Sequence, residues 1–201
     1  MKKLFVLGDS ISIHYGPFLE EFVKGFYKYD RKGKGKDFKD INQHSQVNGG
    51  DSNDVLRYLE ENPDLDYDVL LLNCGLHDIK TRDRIQVDEK TYGENLKKII
   101  ELVYSRGKSV VWVMSTPVED ERHNKISFPV CRYNRDVVRY NEIAATVMAK
   151  KHVPIIDLYS FTCNLNMSLY HDHVHYLEPV RKLHAAFVAG SLMALEQEFK
   201  L

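Results

Sequence analysis

The sequence predicts a three-layer α/β domain, in which helices cover both faces of a parallel sheet. Short, uninterrupted apolar runs alternate along the chain with longer segments of helical periodicity. Apolar runs without polar alternation are typical of strands buried on both faces, and strands that alternate with helices pair in parallel through right-handed crossovers. The 201 residues contain no linker, repeat or low-complexity tract, so we assign residues 1–201 to a single domain.

Four apolar runs are predicted as strands, and they cover residues 4–7, 69–72, 110–114 and 154–156. A less apolar fifth strand is predicted at residues 45–47, just before a pair of glycines. The segment 24–40 carries lysines spaced by glycines, a pattern that suits a phosphate-binding loop or a solvated loop. Because aspartates interrupt the lysines, we interpret this segment as a solvated loop.

Four segments show the apolar periodicity of helices. The first is predicted to begin at Pro17, since proline suits a first helical position, and it carries apolar residues as far as Phe26. Thr91 to Glu94 has the pattern of a capping box, which predicts a helix that ends before Gly107. Two further helices are predicted around residues 137–148 and 183–195.

Composition and charge exclude several classes of protein. The net charge is -1, with 43% hydrophobic and 28% charged residues, so no overall field favours nucleic acid or an anionic membrane as a partner. Cys74, Cys131 and Cys163 are widely spaced, which disfavours a disulfide framework and a zinc knuckle. No apolar stretch reaches the roughly 18 residues of a membrane span. The apolar run after Met1 is too short for a signal peptide. We therefore expect a cytoplasmic protein, although a secreted chain trimmed of its leader has the same composition.

A serine follows the first predicted strand after only two residues, Gly8 and Asp9. Ser10 lies at its carboxyl end, the edge where parallel sheets place ligands and chemistry. A serine hydroxyl becomes a nucleophile when a base takes its proton, and the base works better when a carboxylate fixes its tautomer. Asp172 and His175 are three residues apart, so the carboxylate can reach Nδ1 and leave Nε2 for the serine. Backbone N–H groups of Ser10 and Gly50 are predicted to stabilise the oxyanion.

Four short blocks occur in a fixed order along the chain. They are Gly8-Asp9-Ser10, Asn48-Gly49-Gly50-Asp51-Ser52, Gly75-Leu76-His77-Asp78 and Asp172-x-x-His175. In this order they resemble the blocks of the SGNH (GDSL-like) hydrolases, over nearly the whole chain. The resemblance implies a flavodoxin-like αβα sandwich with a central parallel sheet of about five strands. It also implies that Ser10 is the nucleophile and Gly50 an oxyanion donor. Asp172 and His175 are then the orienting acid and the base.

The third block departs from the family pattern at one position. The family has an asparagine whose amide completes the oxyanion hole, and this chain has His77. An imidazole N–H also donates hydrogen bonds, so we expect His77 to be the third donor. The alternative is a weakened site. Asp78 is expected to order the loop through backbone hydrogen bonds.

Simpler roles exist for the same residues. Ser10 alone suits a helix N-cap, Asp172 a turn and His175 the surface, while Gly50 suits a turn with positive φ. His171 and His173 alternate with His175, which is a pattern that metal sites use. Zinc needs three or four ligands with supporting contacts, and no Glu-rich or cysteine partner segment lies nearby. We therefore expect neither a metal nor an organic cofactor.

The segment 119–132 is long for a connection between a strand and a helix. Insertions at this edge of a sheet often shape substrate pockets, so Arg122, His123 and Phe128 are predicted to contact substrate. Asp9 is a fourth candidate. The alternative is a mobile surface loop.

These observations predict a serine esterase that acts through an acyl-enzyme. The resemblance implies an open site, and the absence of a large apolar lid favours short acyl groups, including acetyl groups on carbohydrates. The expected partner is a small-molecule or carbohydrate ester. Two alternatives stay open: a binding protein that keeps the fold without turnover, and an acyltransferase that uses the same residues. The oligomeric state is left undetermined.

Overall fold

A parallel five-stranded sheet forms the centre of the computed structural model, which describes residues 1–35 and 46–199. The strand order is β2-β1-β3-β4-β5, and every pairing is parallel. The strands are β1 (Lys2–Leu7), β2 (Tyr27–Arg31), β3 (Val69–Leu72), β4 (Ser109–Val113) and β5 (Ile155–Ile156). This arrangement confirms the predicted fold class.

The helices form two groups on the sheet. They are α1 (Ser10–Phe22), α2 (Ser52–Glu61), α3 (Glu89–Ser105), α4 (Asp120–Ser127), α5 (Asn134–Lys150), α6 (Leu158–Cys163) and α7 (Glu178–Phe199). α7 packs on α1 and α6, whereas α3 packs on α2 and α5. Right-handed crossovers in this strand order require such a division into two layers. Among the helices of the described residues, none is both long and apolar enough to cross a membrane.

The chain reverses direction across the sheet at β1. It passes from β1 to β2 on one side and then returns to β3 on the other, with Leu4 opposite both Tyr29 and Val69. The carboxyl ends of β1 and β3 therefore flank a topological switch point, where open α/β sheets bind ligands. β3 is buried along its whole length, and Trp112 of β4 is buried beside it. This core fixes the edge that carries the site.

The second strand lies elsewhere than the sequence predicts. Tyr27 and Tyr29 of β2 are buried and alternate with exposed residues, which is typical of an edge strand. Gln46 and Val47 form a turn, so the predicted strand at 45–47 is wrong, and Ser45 is outside the described residues. The segment 24–40 was predicted to be a solvated loop, and this is also wrong for Tyr27–Arg31, which form β2. Residues 36–40 of that segment lie outside the described residues.

Two helices begin earlier than predicted. α1 begins at Ser10, because the Asp9 side chain accepts the Ile11 N–H and caps the helix at this point. Pro17 therefore lies inside the helix and not at its start. Asp88 caps α3 in the same way by accepting the Thr91 N–H, so the helix begins at Glu89. Each aspartate satisfies a helix-terminal N–H that lacks a partner within the helix.

Candidate active site

Ser10 is the first residue of α1, and only Gly8 and Asp9 separate it from the end of β1. Asp9 is the N-cap, so the alternative in which Ser10 caps the helix is wrong. As the first residue of α1, Ser10 has a backbone N–H without an acceptor in the helix. The helix dipole places partial positive charge at this end. The local fold therefore presents the hydroxyl and a polarised N–H together.

Asp172 and His175 lie in the loop before α7. Asp172 Oδ1 accepts the N–H groups of Val174 at 2.8 Å and of His175 at 2.7 Å. Its second oxygen, Oδ2, lies 2.7 Å from His175 Nδ1. On the other side of the ring, His175 Nε2 lies 2.9 Å from Ser10 Oγ. With the Nδ1 proton held by the carboxylate, Nε2 is the acceptor for the serine proton.

The Asp172 carboxylate is held in its ionised form. Partial burial by itself raises its pKa, but the two backbone N–H donors and the His175 imidazole together lower the pKa well below its ordinary value of 3.8. An ionised Asp172 keeps the imidazole in one tautomer and stabilises its positive charge when it takes a proton. His175 is buried, so the surface-histidine alternative is wrong.

His14 packs against His175 and belongs to none of the four sequence blocks. It lies one helical turn after Ser10, and its ring edge meets the His175 ring with centroids 4.7 Å apart. Burial, together with the positive charges of Arg181 and His175, lowers the pKa of His14 to about 4. His14 is therefore a neutral ring that supports the base. Its i, i+4 spacing from Ser10 is the signal that was available in the sequence.

Gly50 adopts a conformation that requires glycine, but its N–H is already used. Its φ is +76°, and a Cβ there would collide with the Asp54 carboxylate. The Gly50 N–H donates to Asn48 Oδ1 at 2.9 Å, and the Gly49 N–H donates to the Gly8 carbonyl at 2.8 Å. As an oxyanion donor, Gly50 has to share or exchange its bond to Asn48.

His77 lies on the loop after β3 and lines the same cleft as Ser10. The loop turns at Gly75, whose φ is +147° and where a Cβ would lie 2.5 Å from Ser115 Oγ. Asp78 is buried, and its Oδ1 accepts the Ser52 N–H at 2.9 Å, so it joins this loop to the start of α2. Burial raises the pKa of Asp78 to about 7.

The cleft at Ser10 has a volume of about 250 Å³. Its lining residues are Asp9, Ser10, Leu76, His77, Lys80, Ser127, Val130, Arg132, His173, Val174 and His175. Lys80 and Arg132 bring positive charge to this cleft and were missed in the sequence. They belong to distant segments, and neither has a spacing pattern that would mark it.

The segment 119–132 folds as a helix and a tight connection, which differs from the mobile-loop alternative. The backbone of Cys131 forms an antiparallel β-bridge with that of Thr81. Asn124 Oδ1 accepts the Arg132 N–H at 2.9 Å. Ser127 and Val130 are the residues that it contributes to the cleft.

Three of the four predicted substrate contacts do not line the cleft. Arg122 pairs with Glu119 and donates to the Asp172 carbonyl at 3.4 Å. His123 is 0% exposed and Phe128 is 78% exposed, and neither of them lines the cleft. For His123 direct contact with substrate is therefore wrong, because its ring packs inside the cleft wall. Asp9 does line the cleft, but its carboxylate caps α1.

The rings of His173 and His175 lie 6.2 Å apart, but each has a different further partner. The His173 ring meets the edge of the His123 ring at a centroid distance of 5.0 Å, whereas His175 faces Ser10. Within residues 1–35 and 46–199, no three His, Cys, Asp or Glu side chains are grouped as metal ligands.

Solved structures share this fold over nearly the whole chain. A lipase/acylhydrolase from Enterococcus faecalis is 18% identical, with a TM-score of 0.72 and 96% of each chain covered. The aryl esterase of M. smegmatis is 13% identical, with a TM-score of 0.70, 97% of this chain and 100% of that chain covered. Est24, a carbohydrate acetylesterase from Sinorhizobium meliloti, is 12% identical, with a TM-score of 0.66 and the same coverage. At these identities the likeness shows the fold.

A comparison with curated proteins finds no match. The sequence profile of the GDSL-like Lipase/Acylhydrolase family, in contrast, matches residues 6–179. That span contains the four sequence blocks, the switch point of the sheet and the connected serine, histidine and aspartate. The chain therefore belongs to the GDSL-like lipase/acylhydrolase family, whose members hydrolyse ester bonds.

Proposed function

We propose that the chain is a serine esterase that hydrolyses short-chain or acetylated carbohydrate esters through an acyl-enzyme. One observation carries this proposal: hydrogen bonds run from Asp172 Oδ2 through the His175 ring to Ser10 Oγ, at 2.7 and 2.9 Å. An imidazole held in this way is the base that a serine hydroxyl needs.

The first half-reaction acylates the serine. Ser10 Oγ attacks the ester carbonyl carbon as His175 Nε2 takes the hydroxyl proton. The tetrahedral intermediate then collapses, the C–O bond to the alcohol breaks, and His175 returns the proton to the departing alkoxide. In the second half-reaction, water attacks the acyl carbonyl and gives its proton to Nε2. The acid leaves, and Ser10 regains its proton from His175.

In this mechanism two groups stabilise the oxyanion. The Ser10 N–H lies at the positive end of α1, and His77 lines the cleft beside it. The Gly50 N–H adds a third donor when Asn48 releases it. A histidine in place of the family's asparagine is thus compatible with turnover.

The size of the cleft supports a small acyl group. A volume of about 250 Å³ is below the roughly 300–1,000 Å³ of sites that enclose drug-sized ligands. One structural neighbour is a carbohydrate acetylesterase. Acetyl esters are therefore the first substrates to test.

Hydrolysis of 4-nitrophenyl acetate and of acetylated xylose tests the proposal. Ser10→Ala is expected to lose turnover and to keep its thermal unfolding transition. Ser105→Ala, at an exposed serine at the end of α3, is the matched control and should retain full activity. Full activity of Ser10→Ala would overturn the assignment.

A further inference from the structure

Arg132 and Lys80 line the same cleft as Ser10 and His175. The proposed acyl-enzyme mechanism uses neither of these cations. The net charge of the chain is -1, so the positive charge in the cleft is local and does not reflect the overall composition. Such a pair of cations next to a reactive serine needs its own explanation.

Arg132 is buried without an ion-pair partner. The residue is only 7% exposed, and its Nε donates a hydrogen bond to the Leu76 carbonyl at 2.5 Å. Its Nη1 lies 2.5 Å from His123 Nε2, which accepts because a guanidinium can only donate. In the part of the chain that the structure describes, no carboxylate lies within 4.0 Å of this guanidinium. A buried cation of this kind is costly unless an anion compensates it.

Asp9 offsets the Arg132 charge only in part. Burial lowers the pKa of Arg132 to about 10, and the Asp9 charge opposes that shift from a distance. Asp9 is itself buried, its own pKa is raised by that burial, and its Oδ1 accepts the Ile11 N–H. The remaining N–H groups of the Arg132 fork are therefore available to a planar anion.

Lys80 adds a second cation on the loop after β3. Among residues 1–35 and 46–199, its ammonium has no ion-pair partner within 4.0 Å. Burial and the neighbouring Arg132 lower its pKa to about 8, against the attraction of Asp51, Asp54 and Asp9. Lys80 is half-buried and has no ion-pair partner among the described residues, and together with Arg132 it gives this cleft two cations.

Further cationic side chains line a second cavity next to the cleft. Lys80 and Val130 also line a second cavity of about 590 Å³, so they stand at the junction of the two spaces. Its other lining residues are Arg82, Asp83, Arg84 and Gln86. The single acid among them leaves the second cavity with net positive charge. A substrate that extends from Ser10 past Lys80 thus meets cations along its path.

We propose that the esterase selects an anionic ester, in which a carboxylate is held by Arg132 and Lys80 while the ester carbonyl lies at Ser10. This inference rests on the proposed function. A carboxylate fits the fork of a guanidinium with two parallel hydrogen bonds, and the ammonium adds a third. The carboxylate belongs either to the acyl part of the ester or to its alcohol part, and matched substrates distinguish the two.

The turnover test compares anionic and neutral esters of similar shape. Mono(4-nitrophenyl) adipate against 4-nitrophenyl hexanoate places the charge in the acyl part. For the alcohol part, 4-acetoxybenzoate is compared with 4-acetoxybenzamide. In Lys80→Gln, the anionic-to-neutral ratio of kcat/KM should fall by about 10- to 100-fold for one of these pairs. Lys98→Gln, at an exposed lysine of α3, should leave both ratios unchanged. Equal ratios in wild type and Lys80→Gln for both pairs overturn the proposal.

A binding test separates the anion site from the chemistry. In the Ser10→Ala background, monomethyl adipate is titrated by calorimetry against dimethyl adipate, and 4-acetoxybenzoate against 4-acetoxybenzamide, each with and without Lys80→Gln. We expect only the monoanion to lose affinity, by at least about tenfold. If no ester is hydrolysed but the monoanion still binds through Lys80, the esterase proposal fails and the anion site stands. If neutral esters are hydrolysed and monoanion binding ignores Lys80, the anion site fails and the esterase stands.

Discussion

Ser10 and His175 meet at the switch point of the sheet, with Oγ 2.9 Å from Nε2, although they are 165 residues apart in the chain. Ser10 is fixed by the cap of α1, and His175 by two hydrogen bonds to the Asp172 carboxylate, one from its backbone N–H and one from Nδ1. The two residues are positioned by separate elements, so their convergence is a property of the whole fold. Within the loop before α7, the His171 N–H donates a hydrogen bond to the His175 carbonyl at 2.7 Å. This bond helps to hold His175 in place.

Asp172→Asn is expected to lower kcat by about 10³–10⁴-fold, with a smaller effect on KM, because an amide no longer fixes the Nδ1–H tautomer. Steady-state hydrolysis of 4-nitrophenyl acetate measures both constants. Asp64→Asn, at an exposed aspartate, is the control and should behave as wild type. A tenfold loss or less in Asp172→Asn would show that the carboxylate does not orient the base.

His77→Ala is expected to lower kcat by about 10- to 1,000-fold, since one donor to the oxyanion is removed. His77→Asn restores the amide of the family pattern and should recover most of the rate. The comparison is made on 4-nitrophenyl acetate at neutral pH. Wild-type rates in His77→Ala would remove the imidazole from the oxyanion hole.

His14→Ala is expected to lower kcat by about 10- to 100-fold while KM changes little, because His14 positions His175 and is not placed to bind substrate. His14→Phe keeps a ring against the base and should rescue most of the loss. If the Phe and Ala variants are equally impaired, the effect of His14 depends on its polar imidazole and not only on the packing of a ring against His175. If neither variant loses activity, the ring contact at 4.7 Å does not position the base.

The fold was predictable where burial is uniform. Residues 4–7, 69–72 and 110–114 are uninterrupted apolar runs that lie within or overlap β1, β3 and β4. β2 escaped prediction because it is an edge strand, with tyrosines alternating with charged residues in a lysine-rich stretch. Both helix starts were misplaced because the capping aspartates, Asp9 and Asp88, outweigh the proline and capping-box signals.

The site was predictable where residues carry a motif. Ser10, Asp172 and His175 belong to recognisable blocks, and the structure brings them together. Lys80 and Arg132 belong to no block, and only the tertiary fold places them in one cleft. Arg122, His123 and Phe128 were chosen from the length of the insertion, a signal that locates a segment but not the side chains that face inward.

The preference for anionic esters is expected to depend on pH. Burial and the neighbouring Arg132 lower the pKa of Lys80 to about 8, against the attraction of Asp51, Asp54 and Asp9. The ammonium charge is therefore present below that pH and is lost above it. The anionic-to-neutral ratio of kcat/KM should therefore fall as pH rises from 7 to 9.5. In Lys80→Arg, which stays charged over this range, the ratio should stay level. A parallel decline in both proteins would assign the pH dependence to another group.

Covalent labelling of the serine tests the account most directly. A fluorophosphonate probe reacts with a serine that has an active base, and peptide mass spectrometry identifies the modified residue. We predict stoichiometric labelling on Ser10, absent in Ser10→Ala and strongly slowed in His175→Ala. Ester hydrolysis that continues in a protein unlabelled at Ser10, or labelling of a different residue, would contradict the account.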